Sequence, residues 1–349
     1  MSLLERLRAE IAQTGPLTVA EYMHRCLHDP RDGYYATRPA LGAEGDFITA
    51  PLLSQMFGEL LGLWAVEVWQ RLRSPGRVLL VEVGPGDGTL MSDVLRAARV
   101  APGFLEAAEV WLVETSEPLQ ARQRERLGDL HWAADLSQIP SDAPVILIAN
   151  ELLDCLPANQ FVRTERGWGE RMVAASQDGL EFGLRPITLS DGPNAPLGLV
   201  YERSPGQEAF GQTVGDLIAR EGGAALLIDY GRAEPGFGDT LQALQRHEKV
   251  DPLACPGEAD LTVHADFPAV LAAARKAGAK TALLTQGEFL RRLGIEHRAA
   301  ALARARPDRA ETVARQLDRL VAPDQMGELF KAACVHSAGL TPPGFEEVS

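Results

Sequence analysis

The sequence predicts an α/β protein built around a doubly wound, mostly parallel sheet. Three apolar runs, at 77–83, 145–149 and 224–229, lack the polar alternation of strands that face water on one side. Such runs are typical of strands that helices cover on both faces. Helical patterns lie between them, and the first strand passes into a helix through a glycine-rich turn at 84–88. This order of elements favours a doubly wound fold.

The first 75 residues are predicted to form an N-terminal helical cover. The chain opens with an amphipathic pattern at helical spacing. A second helix begins near Thr18, which forms a capping-box pattern with Glu21, and it ends before Asp29 because a proline follows. A long, largely apolar helix is predicted from Pro51 onward.

Residues 76–349 are predicted to form the sheet domain, with insertions at 158–222 and 231–265. The first insertion has short strand-like runs separated by turn residues, which are typical of antiparallel hairpins, and then a helix at 207–221. The second insertion is rich in loop-forming residues. The other predicted elements are strands at 110–114, 131–135, 280–284 and 329–335 and helices at 89–99, 115–126, 266–277 and 287–321.

Composition and charge exclude one class of function, and the absence of targeting signals predicts where the protein lies in the cell. The 349 residues include 34 Lys and Arg against 48 Asp and Glu, which gives a net charge of −14. This charge excludes a general nucleic-acid binder, since phosphate neutralisation needs a basic surface, and it suits a cationic or uncharged substrate. The sequence has no secretory or transit signal, no long apolar run and no paired cysteines. It predicts a cytoplasmic protein that does not insert into membranes.

The glycine turn carries the first functional signal. Its sequence GPGDG at 84–88 lacks the Lys-Ser or Lys-Thr of a phosphate loop, and Thr89 stands where a dinucleotide fingerprint needs Gly or Ala. Glu82 precedes the turn, and its carboxylate repels a pyrophosphate but attracts the ammonium of an amino-acid group. These features predict S-adenosylmethionine (SAM) as the cofactor, with a plain tight connection as the alternative. The predicted cofactor-binding residues here are Glu82, Gly84, Pro85 and Gly86.

Two further acids stand at the ends of the next strands. Glu114 ends the second strand and is predicted to accept hydrogen bonds from two ribose hydroxyls. Asp135 follows the third strand and is predicted to accept one from the adenine amino group. Acids at three successive strand ends after a glycine turn are typical of class I SAM-dependent methyltransferases.

Several stretches of the chain resemble the MidA-like family of SAM-dependent methyltransferases. The most specific are GDFITAP at 45–51 and NELLD, which begins at Asn150. The others are 54–59, 83–88, 228–231, 256–262 and 286–290. Together they span about residues 16 to 335, so the resemblance covers nearly the whole chain. It implies a class I methyltransferase fold, Rossmann-like and doubly wound, with an inserted substrate-facing region.

The resemblance also implies a cofactor-capping loop and a substrate. The loop would fold back over the cofactor, with Asp46 at the sulfonium or methionine end, Phe47 over the ring, and Thr49 as a further contact. The alternative is an ordinary loop packed on the next helix. The family's mitochondrial member resembles a protein arginine methyltransferase, assembles respiratory complex I and makes symmetric dimethylarginine on a core subunit. The implied substrate is therefore an arginine of a protein, a complex I subunit.

Residues after the fourth strand are the candidates for holding the methyl acceptor. A guanidinium stays charged at any working pH, so a site that binds it must supply carboxylates in fork geometry. Glu151 and Asp154 are predicted to hold it and to aim one nitrogen at the sulfonium methyl group. The alternative is that both acids cap a following helix. Asn150 is predicted to contact the cofactor.

Other functions and other sites are weaker candidates. His24 and His28 have the spacing of a metal-binding pair, but no third ligand follows them. Metal binding by residues 251–264 is also disfavoured, so no metal is expected. The arginines at 291–319 are interpreted as a solvated helical face. Two rival functions remain: a small-molecule methyltransferase, and an assembly chaperone that binds SAM without turnover. The sequence predicts no oligomeric state.

Overall fold

A computed structural model describes residues 1–37, 50–190 and 192–346 of the chain. Its strands, in chain order, are β1 Leu17–Thr18, β2 Val78–Val83, β3 Ala108–Val113, β4 His131–Ala133, β5 Val145–Asn150, β6 Asn159–Thr164, β7 Gly167–Ala175, β8 Leu180–Ile187, β9 Val200–Arg203, β10 Gly223–Arg232, β11 Gln242–Gln245, β12 Glu248–Val250, β13 Asp260–Thr262, β14 Ala265–Asp266, β15 Lys280–Thr285 and β16 Phe330–His336.

The helices, in chain order, are α1 Leu3–Thr14, α2 Val19–His28, α3 Tyr34–Thr37, α4 Ala50–Leu53, α5 Gln55–Arg71, α6 Thr89–Ala97, α7 Pro102–Ala107, α8 Glu117–Leu127, α9 Pro205–Glu221, α10 Phe267–Lys276, α11 Gln286–Arg292, α12 Ile295–Ala305 and α13 Ala310–Val321. Within the described residues, none of these helices is both long and apolar enough to cross a membrane.

The chain divides into two compact units. The first contains the described residues of 1–47, 153–208 and 234–266, and the second contains those of 48–152, 209–233 and 267–349. The predicted N-terminal cover of 1–75 is therefore shared: α1 and α2 belong to the first unit, and α5 belongs to the second. Two of the first unit's three segments, 153–208 and 234–266, overlap in sequence with the predicted insertions at 158–222 and 231–265.

The second unit is built on a sheet with the strand order β4-β3-β2-β5-β10-β16-β15. The strands from β4 to β10 pair in parallel, and β16 runs antiparallel to both β10 and β15. All six residues of β2 and the first nine of β10 are buried, as their continuous apolar runs predicted. The predicted class I, doubly wound fold is confirmed.

The first unit holds an antiparallel sheet and an apolar core. In this sheet β7 pairs with β1, β6 and β8, and β9 pairs with β6, which confirms the predicted hairpins. Side chains from α1 and α2 are buried in the core, including Leu7, Tyr22 and Leu27. The predicted capping box is also confirmed, because the Thr18 side chain accepts from the backbone of Glu21 and the Glu21 side chain accepts from that of Thr18.

Two predictions about secondary structure were wrong. The segment 231–265, predicted as loop, contains the three-stranded sheet β12-β11-β13. These strands have only three or four residues each, which is too short for a visible alternation. The single helix predicted from Pro51 is two helices, because the Ser54 side chain accepts from the backbone of Met56 and caps a new helix.

Candidate functional site

The sheet of the second unit has a switch point between β2 and β5. On one side of β2 lie β3 and β4, and on the other side lies β5, so the strand order reverses there. Val83 pairs with both Val113 and Ala149, which aligns the carboxyl ends of three strands at one edge. In open α/β sheets, ligands bind in the crevice at such an edge. The glycine turn and Asn150 both lie there.

The turn between β2 and α6 requires its glycines. Gly84, Gly86 and Gly88 have φ values of +68°, +54° and +80°. Residues with a Cβ atom rarely adopt this left-handed region. A Cβ on Gly84 would also lie 3.0 Å from Cδ1 of Leu152. This crowded, left-handed backbone exceeds the needs of a plain tight connection, and glycines of this kind allow close approach of a ligand to the main chain.

We expect Gly86→Val to raise the Kd for SAM at least about tenfold, because a β-branched residue strains a left-handed backbone and displaces the turn. Gly128→Val is a matched control: Gly128 has φ of +77° at the end of α8, and no atom lies within 4 Å of a Cβ built there. Both variants place a β-branched residue at positive φ, and only the first should lose binding in calorimetry. Unchanged binding in Gly86→Val would remove the turn from the cofactor site.

Glu82 is a buried acid at the carboxyl end of β2. Its side chain is only 3% exposed, and Oε2 has no hydrogen-bond partner among the described residues. Burial, helped by the negative charge of Asp87, raises the pKa of Glu82 to about 8, although the Met91 backbone donates a hydrogen bond that opposes this shift. An uncompensated buried carboxyl is costly, so a cationic group of a ligand is favoured beside it.

The acids after β3 and β4 differ in their surroundings. The Glu114 carboxylate accepts from the Ser116 backbone at 2.7 Å, and burial raises the pKa of Glu114. Asp135 is exposed, and its Oδ1 accepts from the backbone and the hydroxyl of Ser137. These hydrogen bonds lower the pKa of Asp135 and cap a short turn of helix. One oxygen of Asp135 therefore has a structural role, which the sequence prediction did not include.

Asn150 and Glu151 lie at the carboxyl end of β5. The Asn150 amide donates to Oε1 of Glu151 at 3.0 Å, and the backbone of Ala50 donates to the same oxygen at 3.2 Å. Oδ1 of Asn150 is buried without a partner among the described residues. Glu151 has φ of +52°, a conformation that is strained for a residue with a long side chain. Strain of this kind is frequent at functional sites, which makes Glu151 a candidate.

The described residues fit SAM at this edge. Two buried acceptor atoms, Oε2 of Glu82 and Oδ1 of Asn150, lack partners, and buried acceptors in proteins are normally satisfied. The ammonium of the cofactor's methionine group is a donor of the required charge for a carboxylate. The Glu114 carboxylate has acceptor capacity for hydroxyl groups.

Three predicted site residues cannot be compared with the structure, and a fourth belongs to the other unit. Asp46, Phe47 and Thr49 fall outside the described residues. Asp154 is buried and belongs to the first unit, where its carbonyl accepts from the Val263 backbone at 2.9 Å. No helix follows β5: residues 151–156 form turns, and the next element is β6. The helix-capping alternative for these acids was therefore wrong.

Sequence reasoning missed the contribution of α8 to the glycine turn. Arg126 forms an ion pair with Asp87 at 2.9 Å and donates to the Thr89 hydroxyl at 2.6 Å. Gln123 donates to the carbonyl of Gly86 at 2.7 Å. A glutamine and an arginine in a polar helix resemble any solvated surface, so the sequence holds no signal for these contacts.

A family model for S-adenosyl-L-methionine-dependent methyltransferases matches residues 60–285, which is more than half of the chain. The chain belongs to this methyltransferase family. It is 36% identical to "Protein arginine methyltransferase NDUFAF7 homolog, mitochondrial" of Drosophila melanogaster, over 95% of this chain and 84% of the relative. It is 33% identical to "Protein arginine methyltransferase NDUFAF7, mitochondrial" of Homo sapiens, over 94% and 82%.

A solved structure supports the same conclusion. A COG1565 superfamily member from Burkholderia thailandensis, crystallised with S-adenosyl-homocysteine, is 30% identical to this chain, with a TM-score of 0.84 over 99% of this chain and 93% of that one. The predicted MidA-like resemblance, the enzyme class and the cofactor are confirmed: this methyltransferase uses SAM. The prediction of a cytoplasmic location was wrong, because the curated relatives are named as mitochondrial proteins.

Proposed function

We propose that this methyltransferase modifies an arginine side chain of a protein. Eight curated relatives that are 32% to 36% identical to it, over 94% to 95% of the chain, are named protein arginine methyltransferases. The structural observation that carries the proposal is Glu151, an acid held in a strained conformation at the switch point. A carboxylate there suits a cationic methyl acceptor.

We propose that the cofactor lies along the carboxyl edge of the second unit's sheet. Glu82 would pair with the methionine ammonium, and the left-handed turn would allow close approach of the methionine end. Glu114 would accept from the ribose hydroxyls, and Asp135 would accept from the adenine amino group through the oxygen that does not cap the turn. Asn150 would use its unpartnered Oδ1 toward the cofactor. Asp46, Phe47 and Thr49 stay predictions as its cover.

Glu151 would orient the acceptor. Its Oε1 already receives two hydrogen bonds, from the Asn150 amide and the Ala50 backbone, so the carboxylate is held in one direction. Asp154 stays a prediction as a second carboxylate for the guanidinium fork. Bound SAM supplies the methyl group on its sulfonium sulfur. In the transfer, an N–CH3 bond would form as the S–CH3 bond breaks, and the attacked nitrogen would lose one proton to bulk solvent.

Most of the acceleration would come from positioning. A guanidinium nitrogen is a weak nucleophile because its lone pair is delocalised over the fork. A carboxylate that fixes the plane of the guanidinium can align one nitrogen with the methyl group for in-line transfer. The resemblance adds two finer predictions, symmetric dimethylarginine as the product and a respiratory complex I subunit as the substrate.

One labelling experiment tests the substrate class. The protein is incubated with methyl-tritiated SAM and an extract of cells that lack its gene, and the products are separated into proteins and small molecules. We expect label in a protein band, and acid hydrolysis of that band should release methylated arginines. Mass spectrometry of the band then identifies the methylated protein and distinguishes symmetric from asymmetric dimethylarginine. Gly86→Val protein is the control for label transferred by other enzymes.

Other outcomes would favour the rival functions. Label found only in the small-molecule fraction would reject the protein substrate. An absence of label, in protein that binds SAM in calorimetry, would favour an assembly chaperone without turnover. Label on a residue type other than arginine would keep the enzyme class and reject the guanidinium acceptor.

A further inference from the structure

Gln123 stands out among the buried polar residues of the second unit. The helix α8 is otherwise strongly polar, and its two buried side chains are Leu119 and Gln123, one turn apart on the inward face. Gln123 is fully buried, with 0% exposure. An amide without charge gains nothing from burial unless its hydrogen bonds are made, so an apolar side chain would fill this position at less cost.

The Gln123 amide joins the turn after β2 to the strand β4. Its Nε2 donates to the Gly86 carbonyl at 2.7 Å in the turn after β2, and its Oε1 accepts from the Trp132 indole in β4 at 2.8 Å. One side chain therefore joins the turn to the strand before Asp135.

Chemistry fixes the orientation of this amide. A carbonyl such as that of Gly86 only accepts, and an indole N–H such as that of Trp132 only donates, so Nε2 must face the first and Oε1 the second. Gln123 also packs against the glycine turn, since a Cβ built on Gly88 would lie 3.5 Å from Cγ of Gln123. Helix α8 thus lies directly against the turn.

The hydrogen bond to Gly86 has a directional consequence. In a trans peptide, the C=O and the following N–H point to opposite sides. With the Gly86 carbonyl held toward Gln123, the N–H of Asp87 points away from α8.

We propose that Gln123 is a positioning residue for the cofactor: it holds the glycine turn in the geometry that binds SAM before SAM arrives. The proposal rests on the proposed placement of the cofactor at the glycine turn, and it is independent of the arginine substrate. Preorganisation of this kind improves affinity, because the bound complex no longer bears the cost of ordering the turn.

Binding of S-adenosyl-homocysteine by calorimetry tests the proposal. Gln123→Met keeps the volume and removes both hydrogen bonds, and we expect its Kd to rise about 10-fold to 100-fold. Gln286→Met is the matched control, because Gln286 is also fully buried in the second unit and donates to the Leu320 carbonyl at 2.9 Å. The control should bind within about twofold of the wild type even where its melting temperature falls.

A second variant reports on the hydrogen bonds themselves. In Gln123→Glu the protonated carboxyl can donate to Gly86 and accept from Trp132, whereas the ionised carboxylate can only accept. Its Kd, relative to the wild type at the same pH, should therefore improve as the pH falls from 8 to 6. A residue that only fills space would not produce this pH profile. Trp132→Phe removes one anchor and should raise the Kd about threefold, which keeps the test available if Gln123→Met fails to fold.

Three results would overturn the positioning role of Gln123. A Kd for Gln123→Met within twofold of the wild type, or an equal loss in Gln286→Met, would overturn the positioning role. A flat relative pH profile for Gln123→Glu would do the same. Gly86→Val, measured alongside, separates this failure from a wrong site: if that variant also binds normally, the cofactor does not lie at the turn.

Discussion

Glu151→Gln is expected to lower the rate of methyl transfer about 1,000-fold while SAM binding stays within about twofold of the wild type. Glutamine keeps the shape and accepts the same hydrogen bond from the Asn150 amide. It loses the charge that pairs with the guanidinium fork, so the acceptor nitrogen is no longer aligned. The rate is measured by single-turnover methyl transfer to the substrate protein that the tritium experiment identifies. The affinity for SAM is measured by calorimetry. Wild-type turnover in this variant would remove Glu151 from the mechanism.

Glu151→Gly separates function from strain at the same position. Glycine adopts a φ of +52° freely, which should offset the loss of the two hydrogen bonds that Oε1 accepts, so this variant should be about as stable as the wild type, yet inactive. Arg73→Gly is the matched control, because Arg73 is exposed and has φ of +66°. It should gain a little stability and keep full activity. A clear loss of stability in Glu151→Gly would show that the acid serves the fold.

Glu82→Gln is expected to stabilise the unliganded protein and to weaken cofactor binding about 100-fold. The folded-state pKa of about 8 lies above the unfolded value of 4.5, so the folded protein must either keep this carboxyl protonated or bury its charge. Its contribution to stability therefore becomes less favourable as the pH rises from 4.5 to 8, by up to about 5 kcal/mol, and is constant above that range. Glutamine removes this cost.

The measurement is the unfolding free energy of both proteins at pH 5 and pH 8.5. The advantage of Glu82→Gln should be small at pH 5 and large at pH 8.5, and an advantage independent of pH would contradict the raised pKa. Asp93→Asn is the matched control: burial also raises the pKa of Asp93, which pairs with Arg96 at 2.7 Å in α6. That variant should leave SAM affinity unchanged.

Cofactor binding should also release protons near neutral pH. An ion pair with the methionine ammonium needs the ionised form of Glu82, whereas the unliganded protein holds it mostly protonated at pH 7. The enthalpy of SAM binding at pH 7 should therefore differ between phosphate and Tris buffers by the difference in their ionisation enthalpies. This dependence should disappear in Glu82→Gln. If the wild type shows no such dependence, Glu82 does not pair with the cofactor's cation.

The sequence by itself determined the sheet, the glycine turn, the family and the cofactor. These follow from local patterns: apolar runs report strands buried on both faces, and GPGDG reports a left-handed turn after such a strand. The acids at 82, 114 and 151 could be found because the carboxyl ends of parallel strands share one edge. Short strands such as β12 carry no comparable pattern and were missed.

Only the tertiary structure decided the burial, the pKa and the hydrogen-bond partners of these acids and of the glycine turn. The raised pKa of Glu82 comes from burial beside Asp87, and the Glu151 backbone is held in part by a hydrogen bond to the Ile228 carbonyl in β10. The contact between Gln123 and Gly86 joins residues 37 positions apart. Local spacing predicts neither burial nor the pairing of distant residues. For this reason the sequence indicated which residues could serve the cofactor, and the structure alone identified what holds them in place.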